Sequence, residues 1–152
     1  MTKKKIKINN NSLIEQFGMK PYKLRVKEKY MTKRQLNHFK KILNSWKGQL
    51  EQEAEKTVNH MQKDSNSLAD PNDRATQESE FGLELRTRDR ERKLIRKIQS
   101  SLIKIDDGTF GYCEETGEQI GLQRLEARPV ASLTLEAQER REITERQFND
   151  NR

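Results

Sequence analysis

The sequence predicts a mainly α-helical protein built around one long antiparallel coiled-coil hairpin, and three observations support this. Hydrophobic residues make up 31% of the 152-residue chain and charged residues 36%, a balance typical of exposed helices that bury one stripe each. Two apolar seams flank a single Asp-Pro break. A glycine-rich segment with the only cysteine follows the second seam, and it predicts a degenerate zinc-ribbon-like module.

The N-terminal region, residues 1–31, is expected to be a basic leader that continues into part of the folded body. Residues 1–30 hold nine Lys or Arg and two Glu, whereas the other 122 residues hold 22 basic and 22 acidic residues. The net charge of +7 therefore lies entirely in this leader, which we interpret as a flexible tail. A body without net charge argues against a face that binds duplex DNA.

The cellular compartment is suggested by what the sequence lacks. No apolar run approaches the roughly 18 residues of a membrane span, and the first residues, MTKKKIKINNN, contain no apolar signal region. A single cysteine excludes a disulfide framework. We therefore expect a cytoplasmic protein.

The first long helix is predicted from Thr32 to about Leu68. Its apolar residues alternate in spacings of three and four, the heptad pattern of a coiled coil. Gly48 lies inside this helix and weakens it without ending it. Pro71 ends the pattern, because proline clashes with the preceding turn, and Asp70 is then placed to cap the next helix. The predicted seam consists of Leu36, Phe39, Leu43, Trp46, Leu50, Ala54, Val58 and Met61.

The second long helix continues to Asp106-Asp107-Gly108, where a chain reversal is predicted. Two helices of about 35 residues joined by so short a turn must be antiparallel neighbours. At about 1.5 Å per residue, the hairpin over residues 32–107 is on the order of 50 Å long. Its tip, residues 68–75, is thus presented far from the rest of the chain. The predicted second seam consists of Phe81, Leu85, Arg88, Arg92, Ile95, Ile98, Leu102 and Ile105.

The zinc-ribbon-like module is predicted at residues 108–133. Cys113 and Thr116 are separated by two residues, as are Thr134 and Ala137, which reproduces the ligand spacing of a structural zinc site. Only one of the four positions carries a thiol, so no bound zinc is expected. We expect packing around Ala137, with threonine hydroxyls accepting hydrogen bonds from loop N–H groups, to hold the module together.

A C-terminal helix is predicted over residues 134–152. Glu136 lies in its first turn, where a negative charge complements the helix dipole. Its apolar residues are Leu135, Ile143 and Phe148. They make the helix partly amphipathic, and we expect it to pack on the base of the hairpin.

Two charged features are candidates for binding. Asp70 and Asp73 lie at the hairpin tip, where two carboxylates could hold a divalent cation or transfer protons, although helix capping is the commoner role. Four basic residues share one face of the second helix, which suits phosphate oxygens but also describes an ordinary solvated surface. This basic stripe consists of Arg86, Arg90, Lys93 and Lys97.

An enzyme is not expected. The sequence has no Ser/His/Asp order, no Gly-rich phosphate loop, no HExxH motif and no usable Cys/His pair. Cys113 stands beside Glu114 and Glu115, so it lacks the positive surroundings that lower a thiol pKa. We expect His38 and His60 to be ordinary residues of the first helix.

Four motifs occur in one order along the chain: YMTKRQLNHFKKIL, DPNDRA, FGLELRTRDRERKLIRKI and FGYCEETGEQIGLQRLEARP. Together they resemble the DksA/TraR family of bacterial RNA polymerase regulators, with a likeness that extends from about Pro21 to Phe148. The resemblance implies that the N-terminal region and the module form a small globular base carrying the hairpin. It also implies a monomer that binds RNA polymerase rather than DNA and inserts the hairpin into the secondary channel. There it would destabilise open promoter complexes and inhibit ribosomal RNA promoters together with guanosine tetraphosphate (ppGpp) in the stringent response.

The resemblance also assigns roles to single residues. Asp70, Asp73 and Ala75 match the tip that lies near the polymerase active site. Gln138 stands where the family usually has a lysine that contributes to the nucleotide site, so a weaker response to ppGpp is expected. The loss of three cysteines indicates the metal-free paralogue type, without a tightly bound cofactor. The positions that match the polymerase and nucleotide interface are Arg90, Leu94, Lys97, Arg128 and Gln138.

Three other functions are compatible with parts of the sequence. A Gre-like transcript-cleavage factor also needs an acidic hairpin tip, but here the hairpin lies mid-chain and precedes the module. A nucleic-acid-binding protein would show strong, salt-sensitive affinity that survives deletion of residues 1–30, and a generic coiled-coil scaffold would need no tip carboxylates at all. Each remains an alternative that transcription and binding assays can separate.

Overall fold

The computed structural model of the protein describes residues 13–64 and 70–150. Within these ranges the chain forms helices α1 (Leu13–Gln16), α2 (Lys33–Asp64), α3 (Pro71–Asp107), α4 (Leu122–Ala127) and α5 (Leu135–Asp150). The same ranges contain no strand, only an isolated antiparallel bridge between Tyr112 and Gln119. The mainly α fold class is confirmed.

The chain divides into two compact units. The hairpin unit is Leu43–Phe110, and the terminal unit combines Met1–Ile42 with Gly111–Arg152. None of the described helices is long and apolar enough to cross a membrane. The boundaries 32–107, 108–133 and 134–152 remain predictions.

In the hairpin unit, the long helices α2 and α3 pack together as predicted. Seam residues Leu43, Leu50, Ile98 and Ile105 are buried. The segment 65–69, which includes Leu68 and part of the predicted tip, lies outside the described residues.

The middle of the predicted seam is wrong in register. Leu85 is 55% exposed and the Arg92 side chain 68% exposed, whereas Glu84 and Glu91 are half-buried. Spacings of three and four are both compatible with one helix face, so the sequence alone did not distinguish a position from its neighbour. The α2 seam is also interrupted at Val58, which is 50% exposed, whereas Met61 beyond it is half-buried.

Both ends of α3 follow the predicted local signals. The Asp70 side chain accepts a hydrogen bond of 3.1 Å from the Asn72 N–H, and Pro71 is the first helical residue. At the other end, Gly108 adopts φ +77° and its N–H bonds the Ile105 carbonyl. An N-cap of this kind stabilises a helix by about 1 kcal/mol, and the left-handed Gly108 is readily adopted only by glycine.

The terminal unit contains structure that the sequence alone does not predict. Residues 122–127 form α4 instead of continuing the tight turns, and α1 contacts α4. Ile14 in α1 is 1% exposed and Leu125 in α4 is fully buried. The flexible-tail interpretation of residues 1–30 is therefore wrong where α1 packs on α4, whereas residues 1–12 lie outside the described part of the chain.

The C-terminal helix α5 forms, but not with the predicted packing residues. Leu135, Ile143 and Phe148 are 58%, 53% and 76% exposed, while Ala137 is fully buried. At about 100° per residue, the three larger residues spread around the helix instead of forming one stripe. The small side chain of Ala137 supplies the tight contact near the start of α5.

Candidate functional site

The acidic tip residues are placed by the start of α3. Asp70, Asp73 and Ala75 are all exposed, and Asp73 lies in the first helical turn. One oxygen of Asp70 is engaged in the cap, so Asp70 has a structural role that Asp73 does not share. The described residues contain no group of three or more His, Cys, Asp or Glu side chains that could hold a metal ion. The geometry therefore favours Asp73 as the carboxylate presented to a partner.

The basic stripe of Arg86, Arg90, Lys93 and Lys97 is exposed along α3. The half-buried pair of Arg88 and Glu91 lies at other helix positions, where Arg88 Nη1 donates to Glu91 Oε2. The stripe thus offers a row of exposed cations that suits phosphate oxygens or acidic side chains.

The residues predicted for the nucleotide interface divide between the two units. Arg90, Leu94 and Lys97 lie on α3, where Leu94 is half-buried and the other two are exposed. Arg128 is exposed at the C-terminal end of α4. The Gln138 side chain is uncharged, and its amide donates a 2.8 Å hydrogen bond to Glu142 Oε1 within α5. The joint use of these residues remains a prediction.

The degenerate zinc positions form a small hydrogen-bonded cluster. Cys113 is 4% exposed, and Thr134 Oγ1 lies 3.9 Å from its sulfur. The hydroxyls of Thr116 and Thr134 accept hydrogen bonds from the N–H groups of Glu118 and Ala137, each at 3.4 Å. Thr116 thus satisfies a loop N–H group as predicted, whereas the Thr134 hydroxyl caps the first turn of α5. One thiol, two engaged hydroxyls and a methyl group do not provide the donor set that zinc requires, so the residues do not fit the metal.

Cys113 differs from its predicted chemistry. Burial raises the pKa of its thiol, but hydrogen bonds to the sulfur from the Thr116 side chain and from the backbone N–H groups of Thr134, Thr116 and Glu115 outweigh burial. The net effect lowers the pKa to about 6. The prediction of an ordinary thiol considered only neighbouring charges. The two-residue spacing to Thr116 was the available signal, because such a loop folds its N–H groups back toward the sulfur.

Tyr30 is a structural residue for which the sequence carries no signal. Its hydroxyl donates to the Gly111 carbonyl at 2.7 Å and accepts from the Gly121 N–H at 3.1 Å, so one side chain joins both ends of the loop that carries Cys113. Gly111 has φ +89°, and an added Cβ there would lie 2.9 Å from Met31 Cε. Only glycine therefore fits at this position.

A second unpredicted network fixes the segment that precedes α2. Glu28 accepts hydrogen bonds from the Tyr22 hydroxyl, the Arg25 N–H and the Thr32 hydroxyl. The bond from Tyr22 is the largest of these influences, and together they lower the pKa of Glu28 to about 2. This network orders a segment for which the sequence predicts a tail.

The fold and these sites define a class of protein: a packed pair of long helices with exposed charged residues, joined to a zinc-finger-type module that lacks its metal ligands. Residues 35–105 match the family described as the DnaK suppressor protein DksA, N-terminal domain. Residues 108–142 match the prokaryotic dksA/traR C4-type zinc finger, although three of the four ligand positions have changed.

Comparison with individual relatives supports the same family. The chain is 52% identical over 136 residues to the RNA polymerase-binding transcription factor DksA of Haemophilus influenzae, covering 90% of this chain and 94% of that protein. It is 49% identical over 142 residues to the protein of the same name from Escherichia coli K12, covering 93% and 94%. The solved structure of transcription factor DksA2 from Pseudomonas aeruginosa aligns with a TM-score of 0.72 at 36% identity, covering 77% of this chain and 90% of that one. The chain belongs to the DksA family.

Proposed function

We propose that this protein is a transcription regulator that binds bacterial RNA polymerase directly and acts through the end of its helix pair in the secondary channel. The observation that carries the proposal is the identity of about half the residues, over nearly the whole chain, with factors named for RNA polymerase binding. A charge-neutral body supports a protein partner over duplex DNA.

The two carboxylates of the tip are proposed to have different roles. Asp70 caps α3 and so fixes the direction of the helix start, which makes it a positioning residue. Asp73 lies in the first turn of α3 and carries an exposed carboxylate. This charge can alter the electrostatic field around the polymerase active site. Ala75 leaves room for a close approach. This action destabilises open promoter complexes, most strongly at ribosomal RNA promoters.

The nucleotide ppGpp is proposed to bind at the interface with polymerase. Lys97 and Arg128 would bind its phosphates, while Leu94 packs against it and Arg90 contacts polymerase. Gln138 cannot offer the charge-assisted hydrogen bond of a lysine, which is typically worth about 1.5–3 kcal/mol. A modest response to the nucleotide is therefore expected. We also propose that the protein acts without zinc, as a metal-free member of the family.

Replacing Asp73 by Asn tests the proposed role of the tip. The variant keeps side-chain size and removes the charge, so polymerase binding should persist while inhibition at a ribosomal promoter falls by roughly tenfold or more, equivalent to about 1.4 kcal/mol. The measurements are in vitro transcription and competition binding to polymerase. Glu80→Gln, which removes an exposed charge further along α3, is the matched control and should act as wild type.

Three outcomes would contradict the proposal. Full inhibition by Asp73→Asn would remove the tip carboxylate from the mechanism. Absence of polymerase binding by the unaltered protein would favour a scaffold. Shortened RNA in stalled elongation complexes would instead favour a Gre-like cleavage factor.

A further inference from the structure

A pocket in the terminal unit gathers positive charge without any acidic lining residue. Its cations are Lys20, Lys23, Arg34 and Lys41, and its cavity volume is about 690 Å³. All four side chains are exposed at the rim. We propose that this basic pocket binds a small ligand that carries a chain of phosphates.

The charge of the pocket supports an anionic ligand. Clustered cations of one sign repel each other and raise the local concentration of anions. Lysine and arginine are the residues that bind phosphate oxygens most strongly, because each hydrogen bond is charge-assisted. Four cations in one pocket match the several negative charges of a triphosphate better than the single charge of one carboxylate.

The aromatic part of the pocket is held by the protein itself. Glu126 Oε1 in α4 accepts a 2.5 Å hydrogen bond from the Tyr22 N–H and lies 3.9 Å from His38 Nε2. The Tyr22 and His38 rings lie 5.4 Å apart, and the Arg34 guanidinium lies 5.1 Å from the centre of the Tyr22 ring. The pocket therefore has a fixed aromatic surface next to its cations.

The dimensions favour a small ligand over a polymer. Cavities of roughly 300–1,000 Å³ are typical of small-molecule sites. A phosphate chain can contact the lysines while a nucleobase packs on Tyr22, and an inorganic chain would use the lysines alone. None of the residues proposed for the ppGpp interface lines this pocket, so the inference does not depend on the proposed function.

The test is a calorimetric titration of the full chain, without polymerase, using inorganic tripolyphosphate, ATP and hexaglutamate in parallel. The double variant Lys23→Gln, Lys41→Gln removes two cations of the pocket. The double variant Arg140→Gln, Arg146→Gln removes two exposed cations of α5 and gives the same net charge. All four changes lie at exposed positions, so both proteins are expected to fold.

We expect saturable binding of tripolyphosphate and ATP at one site per chain. Affinity should fall roughly tenfold or more in the pocket variant and less than about twofold in the α5 variant. Tighter binding of ATP would identify a nucleotide as the ligand, and equal affinity would identify the phosphate chain itself. The proposal is overturned by absence of saturable binding, by equal weakening in both variants, or by hexaglutamate binding as tightly as tripolyphosphate.

Discussion

Tyr30, Thr116 and Thr134 show how single side chains hold the loops of the module together. The Tyr30 hydroxyl joins Gly111 to Gly121 through two hydrogen bonds. The threonine hydroxyls at the predicted ligand positions accept hydrogen bonds from backbone N–H groups. Each such bond contributes only about 0.5–1.5 kcal/mol, but leaving a buried partner without one costs about 1–3 kcal/mol. Removing individual hydroxyls should therefore have measurable effects.

Tyr30→Phe should lower the free energy of unfolding by about 1–3 kcal/mol, because the Gly121 N–H loses its acceptor. Urea denaturation followed by circular dichroism measures this change. Tyr112→Phe is the matched control, since no described residue hydrogen-bonds the Tyr112 hydroxyl, and its effect should stay within about 0.5 kcal/mol. Equal effects of the two variants would show that the Tyr30 hydroxyl does not stabilise the loop.

Cys113 should titrate with a midpoint near pH 6, since its pKa is lowered to about 6. Thiolate absorbance at 240 nm measures this directly, because the chain contains one cysteine. A lowered folded-state pKa means that the thiolate adds stability in full above the unfolded pKa, 9.0, and that this stability is lost as the pH falls toward 6. Cys113→Ala should lack that pH dependence, and a thiol midpoint near 9 would contradict the hydrogen-bond explanation.

At the scale of elements, local signals predicted more than periodic ones. Asp70-Pro71 and Gly108 placed both ends of α3, because capping depends on residues within one turn of the helix end. The short helices α1 and α4 were missed because segments of four and six residues are not helical on their own. Contacts between them, distant in sequence, stabilise both. The predicted register of the second seam is wrong at Glu84 for a related reason, because burial at that position depends on packing against α2.

Glu84→Leu should raise the free energy of unfolding by about 1 kcal/mol or more. Glu84 Oε2 is buried without a hydrogen-bond partner among the described residues, and an apolar side chain removes that unfavourable burial. Urea denaturation again provides the measurement, with exposed Glu78→Leu as the control that should change stability by less than about 0.5 kcal/mol. If Glu84→Leu destabilises the protein, the carboxylate has a favourable role in the helix pair.

At the scale of the whole molecule, the net charge of a segment did not predict whether its charged residues line a pocket. The excess of the N-terminal region was interpreted as a solvated tail, yet Lys20 and Lys23 line a pocket with Arg34 and Lys41 of α2. The sequence showed the charges but not that Glu126, about a hundred residues away, fixes the aromatic surface beside them. The family and its fold, in contrast, were predictable because the motifs DPNDRA and GLQRLEARP are local and occur in one order.

Transcription from a ribosomal promoter by purified polymerase, in the presence of a zinc chelator and with or without ppGpp, tests whether the protein acts on polymerase without zinc. We expect the protein to shorten the lifetime of the open complex with chelator present, and ppGpp to strengthen this effect modestly. The residues at the former ligand positions already hold the module by packing and hydrogen bonds, so removing zinc should change nothing. Loss of inhibition on adding chelator, or no effect on the open complex under either condition, would contradict the account.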